Sequence, residues 1–295
     1  MEGSISILKQ PTTRRRFLKA GLYGAAGLAI YSGEIARHWI EITHHDVSLP
    51  GLPNIFDGMR IAQLSDVHMD EFTEPFFLRQ AIDHINGLKP DAVFLTGDYV
   101  SDGILGRNFS VRAAWQCAAI LKELQCRQVY SILGNHDVGV GAAEVMEALV
   151  ENGITVLRNT CMPIERAGHR FWLAGLDDPV MGHPDLDLAV PQWIRNIPNE
   201  PVVLMCHAPD YYNFLLDDPA SKAVSLMLSG HTHGGQVRLP VLGALYLPGW
   251  GRLFVEGWFQ RQGVKLYVNR GLGTVGVPFR LNCPPEITEF TLRTA

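Results

Sequence analysis

Five short motifs punctuate the chain in order: Asp66-Val67-His68, Gly97-Asp98, Gly134-Asn135-His136-Asp137, Cys206-His207 and Gly230-His231-Thr232-His233. They offer the carboxylates of Asp66 and Asp98, the amide of Asn135, and the imidazoles of His68, His136, His207, His231 and His233. Each falls where an apolar run stops. Oxygen and nitrogen donors without thiolate suit Mn²⁺, Fe or Zn²⁺; they do not suit Ca²⁺ or a structural zinc finger. Gathered at the ends of strands, such donors build a pocket for two divalent ions, and paired ions of this kind cleave phosphate esters.

Singly the motifs say less. Residues two apart on an extended chain share a face, so Asp66 and His68 would serve one ion, yet Asp-x-His is common. Gly97-Asp98 is an ordinary turn until a buried strand before it makes Asp98 a candidate bridge. Gly134-Asn135-His136-Asp137 is the most specific of the first three, although a hairpin-like turn uses the same residue types. There Asn135 would give a neutral oxygen, and Asp137 could fix the tautomer of His136. His207 at a strand end is also how a satisfied polar group looks. Glycines flanking His231 and His233 allow close approach to a metal. The order of all five is what decides. His44 and His45 read as surface residues, Asp102 as a turn or supporting residue, and His84, His169 and His183 lack partners at ligand spacing.

These side chains need strands to deliver them. Ile40 to Ser48 alternates loosely and predicts an opening edge strand. Residues 58–65, 91–96 and 128–133 are apolar runs that deliver Asp66, Asp98 and Asn135. Apolar residues at helical spacing predict helices over 75–88, 109–125 and 144–152, the last capped by Gly153. Ligands at the ends of successive strands fit an open α/β sheet. Further strands are expected over 154–158, 171–176, 201–206, 223–229, 265–269 and 286–292, forming a second, more mixed sheet stacked on the first.

The order and content of the motifs resemble the calcineurin-like metallophosphoesterases, over roughly residues 58–235. The stretch Asn269-Arg270-Gly271-Leu272-Gly273 and the tail Leu281-Asn282-Cys283-Pro284-Pro285-Glu286-Ile287 look like a subfamily of phosphodiesterases exported by the twin-arginine route. The resemblance implies an α/β fold, a two-sheet β-sandwich flanked by helices in four layers. It also implies that Asp66, His68 and His233 hold one metal ion, that Asn135, His207 and His231 hold another, and that Asp98 bridges them. A hydroxide shared by the ions would attack phosphorus, with His136 donating to the leaving oxygen. Mn²⁺ is the favoured ion, and Arg270 is a candidate phosphate contact. The implied activity is phosphodiester hydrolysis. Related enzymes split a lipid-linked pyrophosphate of the UDP-diacylglucosamine type, and others with this fold are non-enzymatic scaffolds that have lost ligands. Here every ligand position is filled.

The N-terminus reads as an address. Thr13-Arg14-Arg15-Arg16-Phe17-Leu18-Lys19 matches the twin-arginine export signal, and a short Gly/Ala-rich apolar run follows to Ile30. That run is too short to span a bilayer, which takes about 20 apolar residues. The expected division is a targeting segment 1–33, a lead-in 34–57 with the edge strand, and the main domain 58–295. Export to the periplasm is expected, either with cleavage or as an uncleaved tether on the outer side of the inner membrane. Formal charge is −5, and residues beyond 33 carry 20 basic against 29 acidic groups. So acidic a body is a poor binder of nucleic-acid backbone. The expected partners are a phosphoester substrate and the export machinery, with membrane-surface contact left open. The apolar stretch Val237 to Phe254, with Trp258-Phe259, could cover the pocket, touch lipid or be plain core. Five cysteines without Cys-x-x-Cys read as buried small hydrophobes, with one optional bridge.

Overall fold

The computed structural model describes residues 14–70, 72–103 and 105–295. After α1 (Arg14–Ile30) come β1 (Glu41–Leu49), β2 (Arg60–Leu64), α2 (Pro75–Leu88), β3 (Ala92–Leu95), α3 (Arg107–Leu121), β4 (Val129–Ser131), α4 (Asn135–Glu151) and β5 (Thr155–Val156). The second half adds β6 (Thr160–Arg166), β7 (His169–Gly175), β8 (Val202–Met205), β9 (Val224–Ser229), a ribbon of β10 (Arg238–Leu239) and β11 (Gly243–Ala244), then β12 (Gly257–Arg261), β13 (Val264–Val268) and β14 (Glu286–Thr294).

Two six-stranded sheets result, in the orders β1-β14-β2-β3-β4-β5 and β12-β13-β9-β8-β7-β6. Both are mixed. β2 to β5 run parallel, while β14 is antiparallel to β2 and parallel to β1. β7, β8, β9 and β13 run parallel between antiparallel edges.

The sequence explains the layering. Central parallel strands are covered on both faces and read as continuous apolar runs. In β3, Ala92 and Phe94 face the second sheet, whereas Val93 and Leu95 face α2, α3 and α4. In β8, Val203 and Met205 meet the first sheet, and Val202 and Leu204 pack under the short helices beyond it. The layers are thus helix, sheet, sheet, helix.

Several expectations change. β5 and β14 join the first sheet, because the last strand returns between β1 and β2. β6 and β12 carried no buried run to signal them: both are edge strands with exposed, polar residues. Two-residue turns tie them to β7 and β13, at Ala167-Gly168 and Gln262-Gly263, where all four residues have positive φ. The helix expected from Glu144 begins at Asn135 and is kinked at Gly141. The cysteines are free: Cys117, Cys206 and Cys283 are buried, and Cys126 and Cys161 half-buried. His45 is half-buried against Trp258 and Tyr267 rather than on the surface.

The first thirteen residues of the segment read as an address lie outside the described ones. Every residue of α1 is exposed, and no described helix is long and apolar enough to cross a membrane. The turns after α1 dock on the domain. Ser32 O accepts the N–H of Arg280, and Arg37 donates to Phe72 O and to the Glu74 carboxylate.

Candidate metal centre

All five motifs meet at one end of the two sheets. Asp66 and His68 follow β2, Asp98 follows β3, and Asn135 opens α4 just beyond β4. His207 follows β8, and His231 and His233 follow β9. The expected extended geometry for Asp66 and His68 is absent. Their φ values are 51° and 47°, and Asp98, His231 and His233 also have positive φ. Non-glycine residues rarely adopt this region, and surrounding structure must hold them there. The strands end, and the loop then curls so that the side chains turn inward together.

Three tight groups form: Asp66 with His68 and His233, Asp98 with His207 and His231, and Asp98 with His68 and His136. Asp98 is in two of them. Its Oδ2 lies 3.1 Å from His207 Nε2 and 3.5 Å from His68 Nε2. Its Oδ1 accepts the N–H of His136 at 2.9 Å. Asp66 Oδ1 lies 3.5 Å from His233 Nε2 and 3.9 Å from both His68 Nε2 and His207 Nε2. Close approach depends on two glycines. A Cβ on Gly134 would sit 2.2 Å from Asp98 Oδ1, and one on Gly230 would sit 2.2 Å from Asp66 Oδ2.

The far nitrogens of the histidines are anchored. His207 Nδ1 donates to Thr96 O at 2.7 Å, and His231 Nε2 donates to Gly249 O at 2.7 Å. Ser101 Oγ donates to Asp70 Oδ2 at 2.6 Å, so it accepts from His68 Nδ1 at 2.9 Å. Each anchor orients its ring so that the other nitrogen faces Asp66 and Asp98. Asn135 Oδ1 is buried with no hydrogen-bond partner among the described residues, and His207 Nε2 faces only the Asp98 carboxylate. Buried polar atoms are rarely left so. An orphaned amide oxygen among two carboxylates and clustered imidazoles fits divalent cations.

The electrostatics agree. Burial pushes His68 down to about 3 and His231 down to about 4. His233 lies well below the usual imidazole range through burial, then His68 and the Arg280 cation. These rings stay neutral, the form that binds metal. Burial lifts Asp66 to about 6. Burial also opposes charge on Asp98 and His207, but each outweighs it for the other. Asp98 is held low, and His207 is held well above its ordinary value with help from Asp66 and Asp178. Without metal, the His207 proton balances a buried carboxylate.

Two assigned roles need correction. Asp137 does not touch the His136 ring. It is the third residue of α4, and its carboxylate accepts the N–H groups of Gly134, Asp98, Tyr99 and Val100. The His136 ring is oriented by Asp102 instead, whose backbone N–H donates to Nδ1 at 3.2 Å. Arg270 is not directed at the centre: it pairs with Glu286 and Glu41. The residue the sequence did not reveal is Arg280. It is fully buried, donates to the carbonyls of Arg270, Gly271 and Gly273, and lies 3.4 Å from His233 Nδ1. No motif surrounds it, so only the folded contacts identify it. Asp70, Ser101 and Asp178 were likewise invisible as supports.

Above the centre opens a cavity of about 700 Å³. Asp98, Asn135, His136, His231 and His233 form its floor, and the segment 235–249 with Val275–Val277 forms walls. The apolar stretch after Val237 thus lines the pocket at Val237, Leu245, Tyr246 and Pro248, while Phe254 is core.

Comparison with known proteins agrees with this geometry. The sequence model of the calcineurin-like phosphoesterase family matches residues 59–235, more than half the chain. An uncharacterized metallophosphoesterase of Bacillus subtilis, YkuE, is 34% identical over 96% of this chain and 98% of that protein. Phosphodiesterase YaeI of Escherichia coli is 32% identical over 95% of this chain and 99% of its own length. Among solved structures, a dimetal phosphatase from Danio rerio superposes with a TM-score of 0.51 at 14% identity, covering 73% of this chain and 88% of that one. Sequence match and architecture coincide: the chain belongs to the calcineurin-like phosphoesterases and has the metallophosphoesterase fold.

Proposed function

We propose that this chain hydrolyses phosphodiesters with two divalent cations, Mn²⁺ being the ion we favour. Asp66, His68 and His233 would hold one, Asn135, His207 and His231 the other, and Asp98 both. The observation that carries this is Asp98 Oδ2, set between His207 Nε2 at 3.1 Å and His68 Nε2 at 3.5 Å. Bound there, such cations supply Lewis acid for phosphate oxygens and acidify a water for use at neutral pH.

The chain's own groups complete the chemistry. With Nδ1 accepting from Asp102, His136 carries its proton on Nε2 and sits half-exposed at the cavity floor. It is placed to donate a hydrogen bond from that N–H to a departing alkoxide. The N-terminus of α4, which begins at Asn135, adds a positive dipole end toward an anionic substrate. YaeI, named a phosphodiesterase, supports a diester over a monoester.

Protein reconstituted with Mn²⁺ should hydrolyse bis(4-nitrophenyl) phosphate faster than 4-nitrophenyl phosphate. A preference for the monoester, or inertness toward both, overturns the reading. The twin-arginine stretch Thr13–Lys19 supports export by that machinery, to the periplasm or to a tether on the outer side of the inner membrane. The Arg14→Lys, Arg15→Lys double variant should then stay in the cytoplasm on cell fractionation; unimpaired export would remove this part.

A further inference from the structure

We infer that the cavity above the centre is a subsite for a hydrocarbon tail, so that the substrates are amphiphilic phosphodiesters. This rests on the phosphodiester reading above and narrows it to a substrate class.

Four observations carry the inference. First, the cavity of about 700 Å³ opens directly from the floor formed by Asp98, Asn135 and His136. A substrate whose phosphate meets that floor must therefore place one ester group in the cavity. The volume is within the range of roughly 300–1,000 Å³ that holds drug-sized ligands. Second, away from the floor the lining is mostly apolar, with Val180, Val237, Leu245, Pro248, Val275 and Val277 against the polar groups of Thr232, Gln236 and Tyr246. Third, no Lys or Arg is among the described residues that line it. A polyphosphate or nucleotide chain would carry further charges into a space with no cation to meet them, and burying such charges unpaired is costly. An alkyl or acyl chain brings no such charge.

Fourth, the walls are built and their apolar character continues outward. The Gln236 side chain donates to Val275 O and Val277 O and accepts from Val275 N–H, fixing the 275–277 wall. Among the lining residues, Tyr246 is about three-quarters exposed, at 72%, and Leu245 and Val277 are also exposed, with Leu242 exposed on the same segment. Clustered exposed apolar side chains mark contact with apolar partners.

The test uses 4-nitrophenyl alkyl phosphates from methyl to octyl, kept below micelle formation, with the metal-loaded full chain. In each, water oxygen ends on phosphorus, nitrophenolate leaves, and the alkyl phosphate remains. The leaving group is constant, so only the tail varies. Complete burial would give roughly fourfold per methylene. A tenfold or greater rise in kcat/KM from methyl to octyl is expected, and it should fall below tenfold in the Leu245→Asn, Val277→Asn double variant. A smaller rise in the parent overturns the inference while leaving the phosphodiesterase reading intact. A rise unchanged in a folded double variant also overturns it, by placing the tail elsewhere. Inertness toward every ester and toward bis(4-nitrophenyl) phosphate would instead fail the parent reading.

Discussion

The Asp137 carboxylate accepts the backbone N–H of Asp98 at 2.8 Å. The side chain next to His136 therefore serves a neighbouring loop. Its four amide partners belong to the turn that holds Asp98 at φ 57° and to the start of α4.

Removing that carboxylate strands buried donors, each costing about 1–3 kcal/mol. Asp137→Ala should lower stability by at least about 3 kcal/mol, or about 10 °C in Tm for a domain this size. Thermal melts of chelator-treated protein check this. An unchanged Tm with a lost rate would restore Asp137 to a purely catalytic role.

His136 should behave differently, because its ring holds nothing up. His136→Ala should keep the metal content and Tm of the parent and lose roughly 10²–10⁴ in kcat on a diester with an alkoxide leaving group, with a smaller loss on bis(4-nitrophenyl) phosphate, whose nitrophenolate leaves unaided. Metal analysis beside steady-state kinetics separates this from a ligand, whose loss would empty the centre.

The Asp70–Ser101–His68 chain makes Ser101 a positioning residue. Ser101→Ala removes the acceptor for His68 Nδ1 and should weaken metal affinity by about 10–100-fold. Competition against a chromophoric chelator measures it. Unaltered affinity would mean that the tautomer is fixed without Ser101.

Metal uptake should expel a proton. The folded pKa of His207 is raised, so the metal-free protein keeps that ring charged above the ordinary value of 6.5. A metal needs it neutral, so binding must displace the proton and affinity must rise with pH. Calorimetry in buffers of different ionisation enthalpy should show net proton release on binding at pH 7. Proton uptake, or affinity that falls between pH 6 and 8, contradicts the charge state assigned to His207.

The sequence was informative where chemistry and burial coincide. β3, β8 and β9 are apolar on both faces, so each stood out, and each ends in a ligand candidate. The order of layers followed from the resemblance, since periodicity alone does not say which sheet β14 joins. Edge strands β6 and β12 were missed because one face meets water. The first turn of α4 is not visible as helix because Gly-Asn-His-Asp also suits a hairpin-like turn; a helix N-terminus uses the same polar residues, and a kink at Gly141 breaks the apolar period. Asp137 was read as a partner of its neighbour, yet its acceptors reach across to the Asp98 loop. Arg270 and Arg280 are both arginines near glycines, and only folded contacts show which one lies beside His233.

The central claim is that Asp98 belongs to two cation sites at once. Metal analysis after Mn²⁺ reconstitution, with turnover of bis(4-nitrophenyl) phosphate on the same samples, tests it most directly. The account predicts about two ions per chain and hydrolysis for the parent, with turnover abolished in Asp98→Asn. One ion or none in a fully loaded, active parent, or an Asp98→Asn variant that turns over at the parent rate, would contradict it.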